Sequence, residues 1–290
     1  MTTNTTNTTA TTATTATTAT KRTTNTTPTT DTTGTTAPAL TPARVIRSEW
    51  YKLLTLRSSW AAVGTAVALL LGVGLLMGAT YTSGGGDSDV DTVVLTLYGS
   101  QLGAVALAVL GILLTAGEYA TGTIRATLTA VPARLPVLWA KAAVYTGGVL
   151  TVSFLANLLT FGTAQLFLGD TDQAASPTDD GVLAALAGNA TGVTLLGLIA
   201  LGLGAALRSV PGAIGAFVGG VLIVPGILGA LPYETAATIV RYFPAQAADV
   251  LGTTAPPPGS PSPGTAFLAL LLWSAAALAV PALLLKRRDV

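Results

Sequence analysis

The sequence predicts an all-α polytopic membrane protein: six transmembrane helices preceded by an amphipathic interfacial helix. Three observations carry this. Half of the 290 residues are hydrophobic and only 9% are charged, against about 25% charged in a soluble domain, so too few charges remain to cover a water-facing surface. The apolar residues gather into runs of about twenty, the length a helix needs to cross about 30 Å of hydrocarbon. The runs are continuously apolar, which suits helices whose backbone groups are satisfied internally and not the alternating strands of a membrane barrel.

The elements follow in order. Residues 1–41 are a Thr-, Asn- and Ala-rich tail with no large apolar side chain between Met1 and Leu40. Nothing in it offsets the entropy of ordering a chain, so it is expected to be a disordered cytosolic tail. Its apolar h-region is missing, so it does not read as a signal peptide. Residues 42–58 place Val45, Ile46, Trp50, Leu53, Leu54 and Leu56 in one broad apolar sector, with Arg47, Lys52 and Arg57 able to reach headgroups. That pattern suits a helix lying in the interface plane; a plain basic flank to the first span is the alternative. The six-helix domain fills 59–290, with spans expected at about 59–80, 93–116, 142–168, 182–206, 211–231 and 265–285. Pro211 suits the first turn of the fifth span, and Pro225 inside that span should kink it. Between the fifth and sixth spans lies an excursion, 232–264, that ends Pro-rich; its first part, to about 250, suits a short membrane-surface helix.

The basic residues set the topology. Thirteen of the fourteen Lys and Arg fall on one side of this arrangement, and only Arg241 falls on the other. Asp87, Asp89, Asp91, Asp170, Asp172, Asp179, Asp180, Glu234 and Asp249 all fall with Arg241. Both termini are therefore expected in the cytosol, with 117–141 a cytosolic loop and 232–264 external.

Several chemistries lack their residues. There is no Cys and no His, hence no thiolate and no imidazole base. None of Lys21, Lys52, Lys141 and Lys286 follows a Gly-rich loop, so the chain has no P-loop for ATP. No catalytic, metal or cofactor site is read here, the chain is expected not to be an enzyme, and no basic run with interleaved aromatics points to nucleic acid. On these boundaries the span interiors hold no charge. Ion-coupled transport, which binds its ion to such groups, is disfavoured. The polar residues within spans are Gln101, Asn157, Gln165 and Asn189, each expected to hydrogen-bond to a neighbouring helix. Gly74/Gly78, Gly188/Gly192 and Gly215/Gly219 have the four-residue spacing that lets helices approach closely.

Residues 117–141 carry the functional reading. Glu118 stands where the second span ends, Gly122-Thr123-Ile124-Arg125 follow, and a short helical stretch is expected before Pro132. A rigid segment between two spans can act as a lever for a partner that pushes on it. The run Glu118-Tyr119-x-x-Gly122-Thr123-Ile124-Arg125, then Val131-Pro132-x-Arg134 and Lys141, resembles the cytosolic loop of bacterial ABC transporter permeases of the type-2 exporter class. Ser48-Glu49-Trp50-x-Lys52-Leu53-x-Thr55-Leu56-Arg57-Ser58 resembles the opening segment of that family, and Arg241-Tyr242-Phe243-Pro244 its stretch before the last span. The resemblance covers the chain from about residue 42 onward and leaves the Thr-rich tail unaccounted for.

The resemblance implies a permease subunit without its own ATPase site. It would move a hydrophobic or amphipathic substrate using ATP bound on a separate subunit, and would pair with a second permease subunit in a bacterial cytoplasmic membrane. The partner-coupling residues would be Glu118, Tyr119, Gly122, Thr123 and Arg125. Glu118 would anchor the loop or pair with a basic residue, Gly122 would permit a tight bend or a close contact, and Arg125 would pair with an acid of the ATP-binding subunit. The alternative is a non-transporting scaffold or sensor subunit of a membrane complex.

Overall fold

The computed structural model describes residues 1–2, 41–84, 89–123 and 134–287. The chain divides into Met1–Ala39 and Leu40–Val290, and the account below concerns the second unit. The Thr-rich tail, Arg125 and the helical stretch expected before Pro132 lie outside the described residues. All regular structure among the described residues is helical, and six helices are long and apolar enough to cross a membrane. The protein is thus an all-α multi-pass membrane protein.

Helix α1, Pro42–Thr55, opens with proline in its first turn and ends at Leu56, whose extended backbone (ψ 123°) separates it from α2, Arg57–Thr80. Proline suits that opening position because its missing N–H would be unpaired there anyway. The second crossing is not the continuous 93–116 segment expected. A short helix α3, Thr92–Thr96, is capped by the Asp91 carboxylate, which accepts from the Val93 and Val94 N–H groups at 2.8 and 3.1 Å. The chain then turns at Gly99, where a Cβ would come within 2.7 Å of Leu69 O. Helix α4 follows at Ser100–Ala120.

The third helix, α5, runs Arg134–Leu168, starting at Arg134 and not near 142. Helix α6, Val182–Leu207, matches expectation and ends at Arg208 in the left-handed region, φ +54°. The fifth crossing is α7, Val210–Phe217, then a π-helical segment, Val218–Ile223, then α8, Val224–Gly229. Proline at 225 has no N–H to give to the carbonyl four residues back. The ladder changes register just before it, and Val224 N–H bonds Gly219 O five residues back, so the expected kink takes the form of a π turn. The 232–264 excursion holds two short helices, α9, Glu234–Val240, and α10, Pro244–Leu251, and the chain closes with α11, Pro263–Arg287.

Helix α6 is the hub. It packs against α4, α5, α10 and α11, and 72% of its apolar window is buried, against 22% for α2, the fifth crossing and α11. Its glycines explain why. A Cβ at Gly188 would overlap Leu251 O of α10, at Gly197 the Tyr145 hydroxyl of α5, at Gly202 Ala277 O of α11, and at Gly204 Thr115 Oγ1 of α4. Each neighbour therefore approaches to backbone distance at its own glycine, which gives apolar helices the van der Waals contact that drives association in lipid. Three neighbours also donate into the carbonyls of α6: Asn157 to Leu186 O at 2.9 Å, Ser274 to Leu195 O at 3.1 Å and Thr115 to Leu201 O at 3.1 Å.

The glycine pairs divide accordingly. Gly74 and Gly78 sit against Thr96 O, Thr160 and Ala164, and Gly188 and Gly192 against Leu251 and Ala248. Gly215 and Gly219 have open space where a Cβ would stand, so that pair seats no helix among the described residues. Gly188→Val is expected to destabilise the fold by about 1–3 kcal/mol through overpacking, while Gly215→Ala leaves it unchanged or slightly firmer. Thermal unfolding of the two variants in the same detergent, followed by size-exclusion recovery, checks this difference.

Candidate functional site: a charged node joining three helices

Four ionisable side chains from three helices meet at the end of the bundle where α4 stops. Glu49 and Lys52 come from α1, Glu118 from the last turn of α4, and Lys141 from the second turn of α5. Lys141 Nζ lies 2.7 Å from Glu49 Oε2 and 2.7 Å from Glu118 Oε1; Lys52 Nζ lies 2.7 Å from Glu49 Oε1 and 3.1 Å from Glu118 Oε1. Each ammonium thus bridges both carboxylates. The side chains of Glu49 and Lys141 are 4% and 6% exposed and Glu118 14%, while Lys52 is 38% exposed and faces outward.

Local sequence explains the convergence. Val45, Glu49 and Lys52 recur at the spacing of one helical face. Val45 seats that face against Val137 and Ala140 of α5, and Leu53 and Trp50 lean on α5 at Gly148, where a Cβ would lie 3.2 Å from Leu53 Cδ2. The other apolar side chains of the expected sector, Ile46, Leu54 and Leu56, are exposed. The basic side is held locally too: Arg47 donates to Tyr51 Oη at 3.3 Å and lies over its ring.

Two acids and two lysines sum to zero charge, and that neutrality permits burial. An isolated ion in low dielectric is costly, whereas a mutually bridged set offsets its desolvation only with good geometry and leaves a large penalty when one member is removed. Burial alone would lower the Lys52 pKa, but its hydrogen bonds and charge interactions with Glu49 and then Glu118 outweigh that and raise it. Glu118 Oε2 is buried with no partner among the described residues. Apart from that oxygen, the four charged groups answer one another, so the node acts as a joint between the three helices.

From this joint the loop departs. Thr121 Oγ1 returns a bond to Gly117 O at 3.0 Å and meets Thr123 Oγ1 at 2.9 Å. Gly122 takes φ +73°, and nothing among the described residues lies within 4 Å of a Cβ there, so the glycine serves the bend. The ring of Tyr119 lies 5.2 Å from the Arg208 guanidinium carbon, a cation–π contact that ties the loop's root to the α6–α7 turn. Of the five residues expected to couple to a partner, Glu118, Tyr119, Gly122 and Thr123 cluster here; Arg125 lies outside the described residues.

Sequence reasoning placed Lys141 in the loop and read the spans as free of charge. The structure puts Lys141 inside α5 and Glu118 inside α4, and adds Glu49, Lys52 and Arg208 to the site. The available signal was weak but real: an acid three residues before a lysine on a helix otherwise apolar and basic, and an acid and a lysine flanking the same connection. The polar span residues also resolve. Asn157 donates to Asn189 Oδ1 at 3.1 Å, Asn189 to Ser100 Oγ at 3.1 Å and Gln101 to Asp249 Oδ1 at 3.3 Å, all between helices. Gln165 instead bonds residues 173 and 175 of the loop after its own helix.

No protein-family model matches the chain, and no curated protein is significantly similar to it in sequence. The functional reading therefore rests on this geometry and on the residues themselves.

Lys141→Met leaves two buried carboxylates sharing one half-exposed ammonium and is expected to cost about 3–5 kcal/mol. Glu49→Gln added to it restores charge balance and recovers part of the loss, which a double-mutant cycle on unfolding midpoints measures. The pH dependence has a definite sign. Because the folded Lys52 pKa is raised above 10.5, its contribution is complete below that value and fades as pH rises through the higher folded pKa. A pH titration of stability between 7 and 10 should therefore find the wild type and Lys52→Gln separated by a constant gap.

Proposed function

We propose that this chain is the transmembrane permease subunit of an ATP-driven exporter of the type-2 ABC class, in a bacterial cytoplasmic membrane with both termini cytosolic. A separate ATP-binding subunit would dock on the 118–131 segment. The single observation that carries the reading is the node. The connection between α4 and α5 springs directly from a joint that grips α1, α4 and α5 together. A partner displacing the connection would load all three helices at once, and α4 and α5 would carry the displacement to the hub helix.

The rest of the chain supports the same reading. It has no P-loop lysine, so ATP would be bound elsewhere. The connection between α4 and α5 joins two spans at the end of the bundle where the basic residues concentrate, the side expected to face the cytosol. α2, the fifth crossing and α11 keep wide apolar faces outside the bundle, surface that suits lipid or a second permease subunit. The substrate would be hydrophobic or amphipathic and would pass between two such subunits.

The experiment is co-purification of the C-terminally tagged chain in mild detergent, with its companions identified by mass spectrometry. A stoichiometric P-loop ATPase is expected, and replacing 121–130 by a Gly/Ser linker should release it while membrane insertion persists. With the pair in hand, Glu118→Gln combined with Lys52→Gln, which keeps the node neutral, should lower partner ATPase coupling by about tenfold, a typical coupling free energy. A folded chain that captures no ATPase, or coupling indifferent to the node, rejects the proposal. An ATPase that no amphipathic substrate stimulates points to the scaffold or sensor alternative.

A further inference from the structure

The bundle's opposite end holds a cavity of about 640 Å³ that the permease reading does not use. Its walls come from α3 and the residues flanking it, the first turn of α4, Asn189 near the start of α6, and the α9–α10 region with the Pro-rich loop after it. That volume lies within the range of small-molecule sites, about 300–1,000 Å³. Val94, Leu97, Tyr98, Val240, Val250 and Pro257 supply apolar wall, so an organic body fits as well as a polar head.

Charge and hydrogen-bond supply decide what the head is. Three carboxylates, Asp89, Asp91 and Asp249, face one guanidinium, Arg241, across the cavity. Arg241 gives one of its five N–H donors, on Nη1, to Gly259 O at the rim, and its single charge leaves the carboxylates in excess. Asp91 is also engaged, capping α3 and accepting from Thr254 Oγ1, Thr254 N and Ala255 N. Burial would raise its pKa, but these bonds, Thr254's first, hold it below the usual carboxylate value, so it contributes a fixed negative charge. Two further acceptors line the wall. Asp249 receives one bond, from Gln101 Nε2 at 3.3 Å to Oδ1. Gln246 Oε1 is buried with no partner among the described residues, a state that costs free energy until a donor arrives.

At the cavity's inner wall, Ser100 and Asn189 also line a void of about 20 Å³ shared with Asn157 and Ser153. Asn157 donates to Asn189 and Asn189 to Ser100, while Ser153, 6% exposed, has an unpartnered Oγ. The void has room for a single water beside these four polar side chains, and the rest of its wall is apolar.

We propose that this cavity is a binding site for a small amphipathic organic cation, a protonated amine on an apolar frame, with Asp249 and Gln246 accepting from the ammonium. An ammonium has donors and no acceptor, which matches unfilled acceptors in a net-negative cavity. An anion of the same frame would meet like charge. The site stands independently of the ATP-driven reading, since α4 separates Gln101 from Glu118 by about 26 Å of helical rise.

Asp249 makes the site pH-sensitive. Solvent reaches its side chain through the cavity, but crowding by the walls pushes its pKa up to about 6, with the Gln101 bond pulling the other way. The charged groups facing it are Asp89 and Asp91 from the segment before α3 and Arg241 from the end of α9, with Gln101 of α4 and Asn189 of α6 uncharged. Amine affinity should therefore rise with pH through about 6 and level off above.

The test is calorimetric titration of the full chain in phosphatidylcholine nanodiscs with 2-phenylethylamine, and in parallel with 3-phenylpropionate, after subtraction of heats from empty discs. Saturable binding of the amine and none of the carboxylate is expected. Asp249→Asn should weaken amine binding at neutral pH by about tenfold and abolish its decline toward pH 5. It removes a carboxylate that ionises with difficulty, so it should fold at least as well as wild type. Gln246→Leu should weaken binding several-fold with the pH profile kept, and Asp172→Asn, outside the cavity, should change nothing. Equal binding of amine and carboxylate, or wild-type affinity in Asp249→Asn, overturns the proposal.

Discussion

Apolar helices in lipid gain nothing from hiding apolar surface, since the solvent is as apolar as they are; what holds them is how closely their backbones can pass. In this protein that constraint falls on α6. Its small residues at 188, 197, 202 and 204 each admit a different neighbour, and Asn157, Ser274 and Thr115 fasten three of those neighbours through carbonyls of α6. The positions of α4 and α5 follow from α6, and the meeting of Glu118 with Lys141 follows from theirs. The node is downstream of the hub.

The two ends of the bundle solve opposite electrostatic problems. At one end, two acids and two lysines are buried in balance. At the other, carboxylates outnumber cations around a cavity and acceptors are left over. Helix α4 belongs to both, with Gln101 bonded to Asp249 at its start and Glu118 to two lysines at its end. A rigid rod with a polar fastening at each end connects events on one side of the bundle with geometry on the other, without any charge within the intervening turns.

Most of the fold was legible because a membrane makes hydropathy and length nearly sufficient. Spans one, four and six fall where the apolar runs place them. The departures have local causes. Arg134 and Lys141 made the start of α5 look like loop, since a charge reads as exposed unless its partner is known, and the partners of Lys141 sit far off in sequence at Glu49 and Glu118. The break at Leu97–Gly99 is invisible to hydropathy because the residues on both sides are apolar. Spacing alone also promised a packing face at Gly215 and Gly219, and no helix among the described residues uses it. Glu118, Tyr119, Gly122 and Thr123 stand together in the sequence, but the joint beneath them was not legible, because a cluster drawn from three helices leaves no period in the sequence.

The length of α5 carries a consequence of its own. Its apolar stretch of 34 residues rises about 51 Å, against about 30 Å of hydrocarbon. Such a helix must lean or stand proud of the bilayer, and the balance shifts with lipid thickness. Lys141, near one end of that stretch, is bolted to α1, and α1 presents its apolar face at the surface. Hydrophobic mismatch therefore enters as a mechanical load on the same junction, and acyl-chain length becomes a variable acting on it alongside any protein that binds there.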